Sequence, residues 1–300
     1  MNILITGGSG FIGKYLLREL SKSNFVFELS RTSNLKFDLS KGIPNFLFKA
    51  ELVVHAAGLA HKVPSNIKEL NLFNKINVIG TQNLLNAIEI NGIPESFVFI
   101  SSVAVYGITE GVLINEVSKL NAIDAYGRSK IEAEAILLKW CQVNNVRITI
   151  LRLPLVVGED PPGNLGAMIK CIKKGFYFNI AGGLAKKSMV LANDVARFVL
   201  KSSEVGGIYN LTDGYHPSFA ELSRHISRQL GKRVPRSIPF WLAKLLALGG
   251  DLLFGKAPLN SIKLNKIITD LTYDDSNARE AFGWNPTSVL DGFRISEKNS

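Results

Sequence analysis

The sequence predicts an α/β fold: a doubly wound parallel sheet with helices on both faces, followed by a smaller C-terminal lobe. Three observations carry that prediction. Residues 2–6 form an apolar strand that runs straight into the glycine-rich turn Gly7-Gly-Ser-Gly-Phe-Ile-Gly13. Apolar strand-like runs then alternate with amphipathic helical segments through the first half of the chain. Beyond Gly158 the alternation gives way to breakers, Pro161-Pro162-Gly163 and Gly182-Gly183.

In order, the strands are expected at 2–6, 25–30, 51–55, 96–101 and 147–153, each rich in Val, Ile, Leu or Phe. The helical patterns between them cover 11–22, 66–91 and 125–144. This places a dinucleotide-binding domain at 1–157, its sheet completed near 206–212, and a mainly substrate-binding lobe at 158–300. Gly7, Gly10 and Gly13 follow G-x-x-G-x-x-G between the first strand and the first helix. Glycine there lets the backbone turn tightly beside a pyrophosphate, and the helix N-terminus favours the anion.

Composition narrows the class. The 300 residues are 46% hydrophobic, ample for a large core, and carry a net charge of +10 spread along the chain. That balance suits anionic small molecules. Nucleic acid is disfavoured, because there is no zinc-finger spacing, aromatic RNA-binding signature or basic helix. Two cysteines, Cys141 and Cys171, give neither a disulfide framework nor metal-ligand spacing. No apolar run approaches the ~20 residues of a membrane span, so stable insertion is not expected. No room for a secretory leader is left ahead of the first strand, and a cytoplasmic location is expected. Residues 238–255 have the apolar character of a membrane-surface helix. However, Gly249 and Gly250 break the run and its polar face is short of positive charge, which favours a helix packed on the lobe.

Tyr126 and Lys130 stand four residues apart in Tyr-Gly-Arg-Ser-Lys, on one face of a helical pattern. A free tyrosine titrates near ~10 and is a poor base at neutral pH. A neighbouring ammonium, together with a positively charged nicotinamide ring, would favour the phenolate and let the tyrosine take or give a hydroxyl proton while hydride moves. Ser101 and Ser102 end the apolar run Phe97-Val-Phe-Ile, at the sheet edge where ligands bind. Turn chemistry alone also accounts for a Ser-Ser at a strand end.

Together these segments resemble the extended short-chain dehydrogenase/reductase family, in its nucleotide-sugar epimerase/dehydratase branch. The likeness rests on Thr6-Gly-Gly-Ser-Gly-Phe-Ile-Gly13, Asp38-Leu39, His55-Ala-Ala-Gly58, Asn77-Val-Ile-Gly-Thr-Gln-Asn83, Ser101-Ser-Val-Ala-Val-Tyr-Gly107, Tyr126-Gly-Arg-Ser-Lys130, Arg152-Leu-Pro-Leu-Val-Val-Gly158 and Phe282-Gly-Trp-Asn-Pro286. It spans nearly the whole chain. It implies a Rossmann fold, with Ser102, Tyr126 and Lys130 as catalytic triad and Asn77 supporting the active-site helix. Cofactor contacts are implied at Gly7, Gly10, Phe11, Ile12, Gly13, Ala56, Ala57, Gly58, Tyr126, Lys130 and Leu153, with Asp38 and Leu39 beside the adenine. A homodimer through the 66–91 and 125–144 helices is also implied; those faces are otherwise covered within the chain.

The resemblance narrows the reaction. The 4,6-dehydratases of the family place Asp and Glu after the catalytic hydroxyl, where this chain has Val103 and Ala104. Decarboxylating relatives place Glu, and double-epimerising GDP-fucose synthases Cys, at the second position. Redox at one carbinol remains, probed by two readings: a 4-ketoreductase of a UDP-4-keto-6-deoxy-hexosamine, or a UDP-sugar 4-epimerase that retains NAD. At the end of the second strand, NAD-binding relatives usually carry an acid; here Ser30 and Arg31 stand there, which favours NADP(H) over NAD(H). On the substrate side, His61 is a candidate contact, with a surface histidine the alternative. Asn164 matches a substrate-binding asparagine, and Lys187 stands where many relatives carry an arginine on the diphosphate. Lys173 and Lys174 read as solvated helix charges. A catalytically silent NADP-binding module of the same fold is the alternative of another class; the intact Ser102, Tyr126 and Lys130 argue against it.

Overall fold

The computed structural model describes residues 1–33, 35–60, 64, 66–251 and 259–296. Seven strands form one parallel sheet: β1 Asn2–Thr6, β2 Phe25–Ser30, β3 Leu35–Lys36, β4 Leu52–His55, β5 Ser96–Ser102, β6 Arg147–Leu153 and β7 Gly207–Asn210. Their spatial order is β7-β6-β5-β4-β1-β2-β3. The order reverses between β1 and β4, so the ends of these two strands open a crevice where a doubly wound sheet takes its ligand. All five strands expected from the first half are present, as is the return near 206–212. The two-residue β3 was not foreseen, being too short to leave a periodic signal.

Helix α1 Phe11–Leu20 and α6 Ala192–Val205 cover one face of the sheet. Helices α3 Gly80–Asn91 and α4 Ala125–Val143 cover the other, with Leu84, Leu85, Ile88, Ala133, Leu137 and Trp140 meeting the inner strands. Strands buried on both faces are apolar along their interior, as Ile3, Leu4 and Ile5 of β1 and Leu52, Val53 and Val54 of β4 are. The single helix expected over 66–91 is instead three pieces: α2 Ile67–Phe73, a π-helical turn Asn74–Ile79, and α3. Within that turn the Gly80 amide reaches back to the Lys75 carbonyl. The wider turn brings Asn77 into the interior, where it is 2% exposed.

A third core gathers α5 Gly163–Lys173, α7 Phe219–Gln229 and α11 Val289–Gly292 around Leu165, Ile169, Leu222, Ile226 and Phe293. Three short parallel strand pairs brace this region, the first joining Leu155–Val157 to Met189–Leu191. The chain then returns to the main sheet: Phe282, which ends α10 Ser276–Phe282, and Trp284 pack into the α1–α6 core, and the Trp284 indole donates to the Thr212 carbonyl at 2.9 Å. Helix α8 Phe240–Asp251 packs on α9 Ser261–Ile268 through Ala243, Ala247 and Leu264. The expected packing on the lobe is therefore present, yet only the small side chains of α8 are inside. Cys141 is buried and Cys171 exposed, both as free thiols. Among the described residues no helix is long and apolar enough to cross a membrane, and no side-chain cluster suits a metal ion.

Candidate active site

The crevice begins at the glycine turn. Gly7 sits at φ +74°, and its carbonyl accepts the Gly10 amide at 2.9 Å. A Cβ on Gly7 would lie 2.5 Å from the Ala57 amide nitrogen, and one on Gly13 would collide with the Gly7 carbonyl. Both positions therefore demand glycine. Gly10 is the N-cap of α1, with no side-chain cap and no acid in the first turn. The first amides of α1 are left to an outside anion, which suits a dinucleotide pyrophosphate. The cradle fits such a cofactor.

The crevice extends along Gly7, Gly10, Ser30, Arg31, Asp38 and Leu39, and across to Ala56, Ala57 and Gly58. No acid from the end of β2 faces it: Ser30 occupies that place, its Oγ accepting the Thr32 and Ser33 amides at 3.3 and 3.1 Å. Arg31 is exposed on the rim. Asp38 turns inward on its own loop, accepting the Ser40 hydroxyl at 2.7 Å and its amide at 3.0 Å. The Ser40 hydroxyl, with Arg31 and Lys41 assisting, holds the Asp38 carboxyl below its usual range.

A second cleft of about 420 Å³ shares Gly10, Ala56, Gly58 and Leu59 with the first, so the two form one trough. Ser102, Tyr126, Lys130 and Leu153 line it, together with Phe11 and Ile12. The three residues expected to carry the chemistry thus come together from the end of β5 and the first turns of α4. Asp124 fixes that helix start by capping it, its carboxylate accepting the Gly127 amide at 3.0 Å. Lys130 Nζ is buried, donates to the Ile100 carbonyl at 2.9 Å and lies 4.4 Å over the Phe99 ring. Burial lowers its pKa to about 8, with Glu134 pulling the other way.

In the chain itself burial pushes the Tyr126 phenol up, while a hydrogen bond with Ser102 opposes this. Lys130 meanwhile is held by the Ile100 carbonyl and the Phe99 ring. The Ser102 hydroxyl is the group that favours the phenolate.

Asn77 locks the trough wall to α4. Its Oδ1 accepts the Leu59 amide at 2.6 Å; its Nδ2 donates to the Leu59 carbonyl at 3.1 Å and to Ser129 Oγ at 2.8 Å. Ser129 in turn donates to the Tyr126 carbonyl at 2.8 Å. The support expected from Asn77 is present as this chain of bonds.

Two buried groups escaped sequence reasoning. His55, at the end of β4, sits between Thr6 and Thr81 at 2.6 and 3.0 Å. Thr6 Oγ1 accepts the Ala57 amide and Thr81 donates to the Asn77 carbonyl, so His55 accepts at Nδ1 and donates from Nε2 as a neutral ring. Burial, helped by Lys130, depresses its pKa to about 3. Glu134 accepts both Arg152 Nη2 at 2.7 Å and Nε at 3.2 Å, with Ser101 Oγ donating at 2.5 Å. The pair is buried, and the Glu134 charge acts on Lys130. Its signal was available: Tyr126, Lys130 and Glu134 recur at four-residue spacing on one helix face.

The expected substrate contacts are less gathered. Asn164 is exposed in the first turn of α5, two residues past Pro162, which lines the cleft. Lys187 Nζ donates to the Thr269 carbonyl at 2.8 Å, outside the cleft lining, and burial lowers its pKa. His61 lies outside the described residues.

A glycine cradle at the sheet crevice, joined to a Ser–Tyr–Lys trough, defines a dinucleotide-dependent enzyme of the extended short-chain dehydrogenase/reductase class. Residues 3–211 match the NAD dependent epimerase/dehydratase family, and the chain belongs to it. It is similar to a UDP-glucose 4-epimerase of Vibrio cholerae, 28% identical over 98% of this chain and 93% of that one. It is also similar to the N-acetyl-alpha-D-glucosaminyl-diphospho-ditrans,octacis-undecaprenol 4-epimerase of Escherichia coli O157:H7, 27% identical over 91% and 87%. In fold it resembles the UDP-glucose 4-epimerase of Thermotoga maritima solved with UDP-glucose, with a TM-score of 0.75 at 22% identity, covering 97% of this chain and 96% of that one. Other structures of similar fold, all under 25% identical, carry NAD or NADPH.

Proposed function

We propose that this chain is a 4-epimerase of a nucleotide-activated hexose, working by removal and return of hydride at C4, with Tyr126 as acid and base. The observation that carries this is the meeting of Ser102, Tyr126 and Lys130 in one trough with the glycine cradle. The names of the similar proteins support epimerisation over net reduction. Val103 and Ala104, directly after Ser102, offer no acid or base for dehydration.

The chemistry divides among few groups. A nicotinamide dinucleotide, when bound, accepts the C4 hydride and gives it back. Tyr126 takes the proton of the C4 hydroxyl as hydride leaves, and returns it as the 4-ketone is reduced on its opposite face. Ser102 Oγ hydrogen-bonds the same oxygen and supports the phenolate. Lys130, held by the Ile100 carbonyl, lines the same trough and would supply a positive charge beside a bound cofactor. We assign the dinucleotide to 1–157 with 206–212 and the sugar carrier chiefly to 158–300, with Asn164, Lys187 and His61 as its candidate contacts. Pairing of two copies through the α2–α4 face is proposed on the exposure of Ile67, Ile79, Ile90 and Val143 there.

A second reading, a 4-ketoreductase using NADPH, is favoured by one observation: the end of β2 carries Ser30 and the Arg31 guanidinium rather than an acid. One experiment separates the two. Purified protein given UDP-glucose or UDP-N-acetylglucosamine without added cofactor is expected to form the C4 epimer. Tyr126→Phe is expected to slow this by about 10²–10⁴-fold. Stoichiometric NADPH loss on a UDP-4-keto-6-deoxy-N-acetylhexosamine, with no epimer, would install the reductase instead. Full turnover by Tyr126→Phe would overturn both.

A further inference from the structure

Helix α8 is inside out for a helix on a water-facing lobe. Ala243, Ala247 and Gly250 face the body, whereas Phe240, Trp241, Leu242, Leu245, Leu246 and Leu248 are exposed, Trp241 by 64% and Leu245 by 59%. Bulky apolar side chains scattered over a surface need no explanation, but six within nine residues form a patch that water does not favour. Two further exposed rings, Phe176 and Phe178, lie just before the strand Asn179–Ile180, which pairs with Ser237–Ile238 at the root of α8.

The surroundings of this patch are basic. Residues 232–266 hold seven Lys or Arg and one acid, Asp251. Lys232, Arg233 and Arg236 share a groove with Phe178 immediately ahead of α8. Lys244 lies on the helix itself and Lys266 on α9, against which it packs; all five are exposed. None of the five is ion-paired among the described residues. The Asp251 carboxylate is occupied by the Ser261 amide and hydroxyl, at 3.0 and 2.5 Å.

We propose that α8 docks this protein on the surface of an anionic lipid bilayer, its leucines and aromatic rings entering the interface and the flanking cations meeting the headgroups. An apolar face rimmed by Lys and Arg, with Trp at the boundary, matches that environment. A second copy of the chain matches it poorly, because a two-fold contact through α8 brings the same cations of both copies together. The patch itself shows charge the sequence pattern of α8 alone did not, since most of it comes from the loop before the helix and from α9. The docking is independent of which sugar the trough takes.

The test is co-sedimentation of the whole protein with phosphatidylcholine vesicles, with and without phosphatidylglycerol, at low and high salt. Binding is expected only to the anionic vesicles and is expected to weaken with salt. Leu245→Glu/Leu248→Glu and, separately, Arg233→Glu/Arg236→Glu are expected to weaken it by about tenfold or more. All four side chains are exposed, so unchanged melting temperatures show that the variants fold. Trp241 emission is expected to shift to the blue on the vesicles, and Trp241→Phe to abolish that shift. Absence of binding to anionic vesicles, or equal binding by both variants, overturns the proposal. Self-association that Leu245→Glu/Leu248→Glu abolishes, without vesicle binding, assigns the patch to a second copy instead.

Discussion

At the scale of single residues, the trough depends on groups that burial keeps in one protonation state. His55 is the clearest. Its neutral ring joins Thr6 on β1 to Thr81 on α3, and burial depresses its pKa to about 3. The unfolded chain takes up this proton near pH ~6.5, the folded chain only near 3. Stability from this group is therefore complete above pH ~6.5 and is lost as pH falls towards 3. By linkage the full loss approaches about 4–5 kcal/mol, of which about 2 kcal/mol falls between pH 6.5 and 5. Urea unfolding at several pH values is expected to show that slope in the wild type and a flatter one in His55→Asn. Parallel slopes would mean that His55 titrates normally. That the proposed catalytic residues would meet was legible in their spacing: Tyr126 and Lys130 at one helical turn, Ser102 at a strand end. What was not legible is what burial does to them. The raised pKa of Tyr126 and the commitment of Lys130 to the Ile100 carbonyl depend on neighbours that no local pattern reveals.

At the scale of elements, Asn77 shows how one side chain reshapes a helix. Periodicity over 66–91 reads as a single helix because the apolar positions continue through it. The structure inserts a π-helical turn at 74–79, which turns Asn77 inward to hold both Leu59 and Ser129. Asn77→Ala would leave the half-buried Leu59 amide and carbonyl without these partners. An unsatisfied buried group costs about 1–3 kcal/mol and a solvent-reached one less, so a loss of roughly 1–3 kcal/mol in urea unfolding is expected. Faster hydrogen exchange at the Leu59 amide should accompany it. A change below about 1 kcal/mol, with exchange unaltered, would show that the loop is held by other means. The sheet strands were legible, since buried parallel strands are apolar along their interior. Helix α8 was half legible: its apolar run was plain, but which side faced the body was set by alanines that only tertiary packing could single out.

At the scale of the whole molecule, the halves of the chain differ in how much they disclose. The first half, which carries the glycine cradle, is constrained by backbone geometry, so its glycines, strand ends and helix starts are readable. The half after 158, proposed to take the substrate, is built from short strand pairs and loops around a separate core. Its expected contacts are dispersed accordingly: Asn164 is exposed, Lys187 is tied to Thr269, and His61 lies outside the described residues. Ligand choice on this fold belongs to such loops, which carry no fixed spacing. In the proposed reaction hydride, not a proton, leaves and returns at C4. The most direct measurement follows deuterium in a UDP-hexose labelled at C4, incubated with the protein in ordinary water and read by mass spectrometry of the epimer. Retention of the label at C4 in the product is the outcome expected from hydride transfer. An epimer that has exchanged its label for solvent hydrogen would contradict the account, because it would place proton abstraction at carbon where the Ser102–Tyr126–Lys130 trough is held to move a hydride.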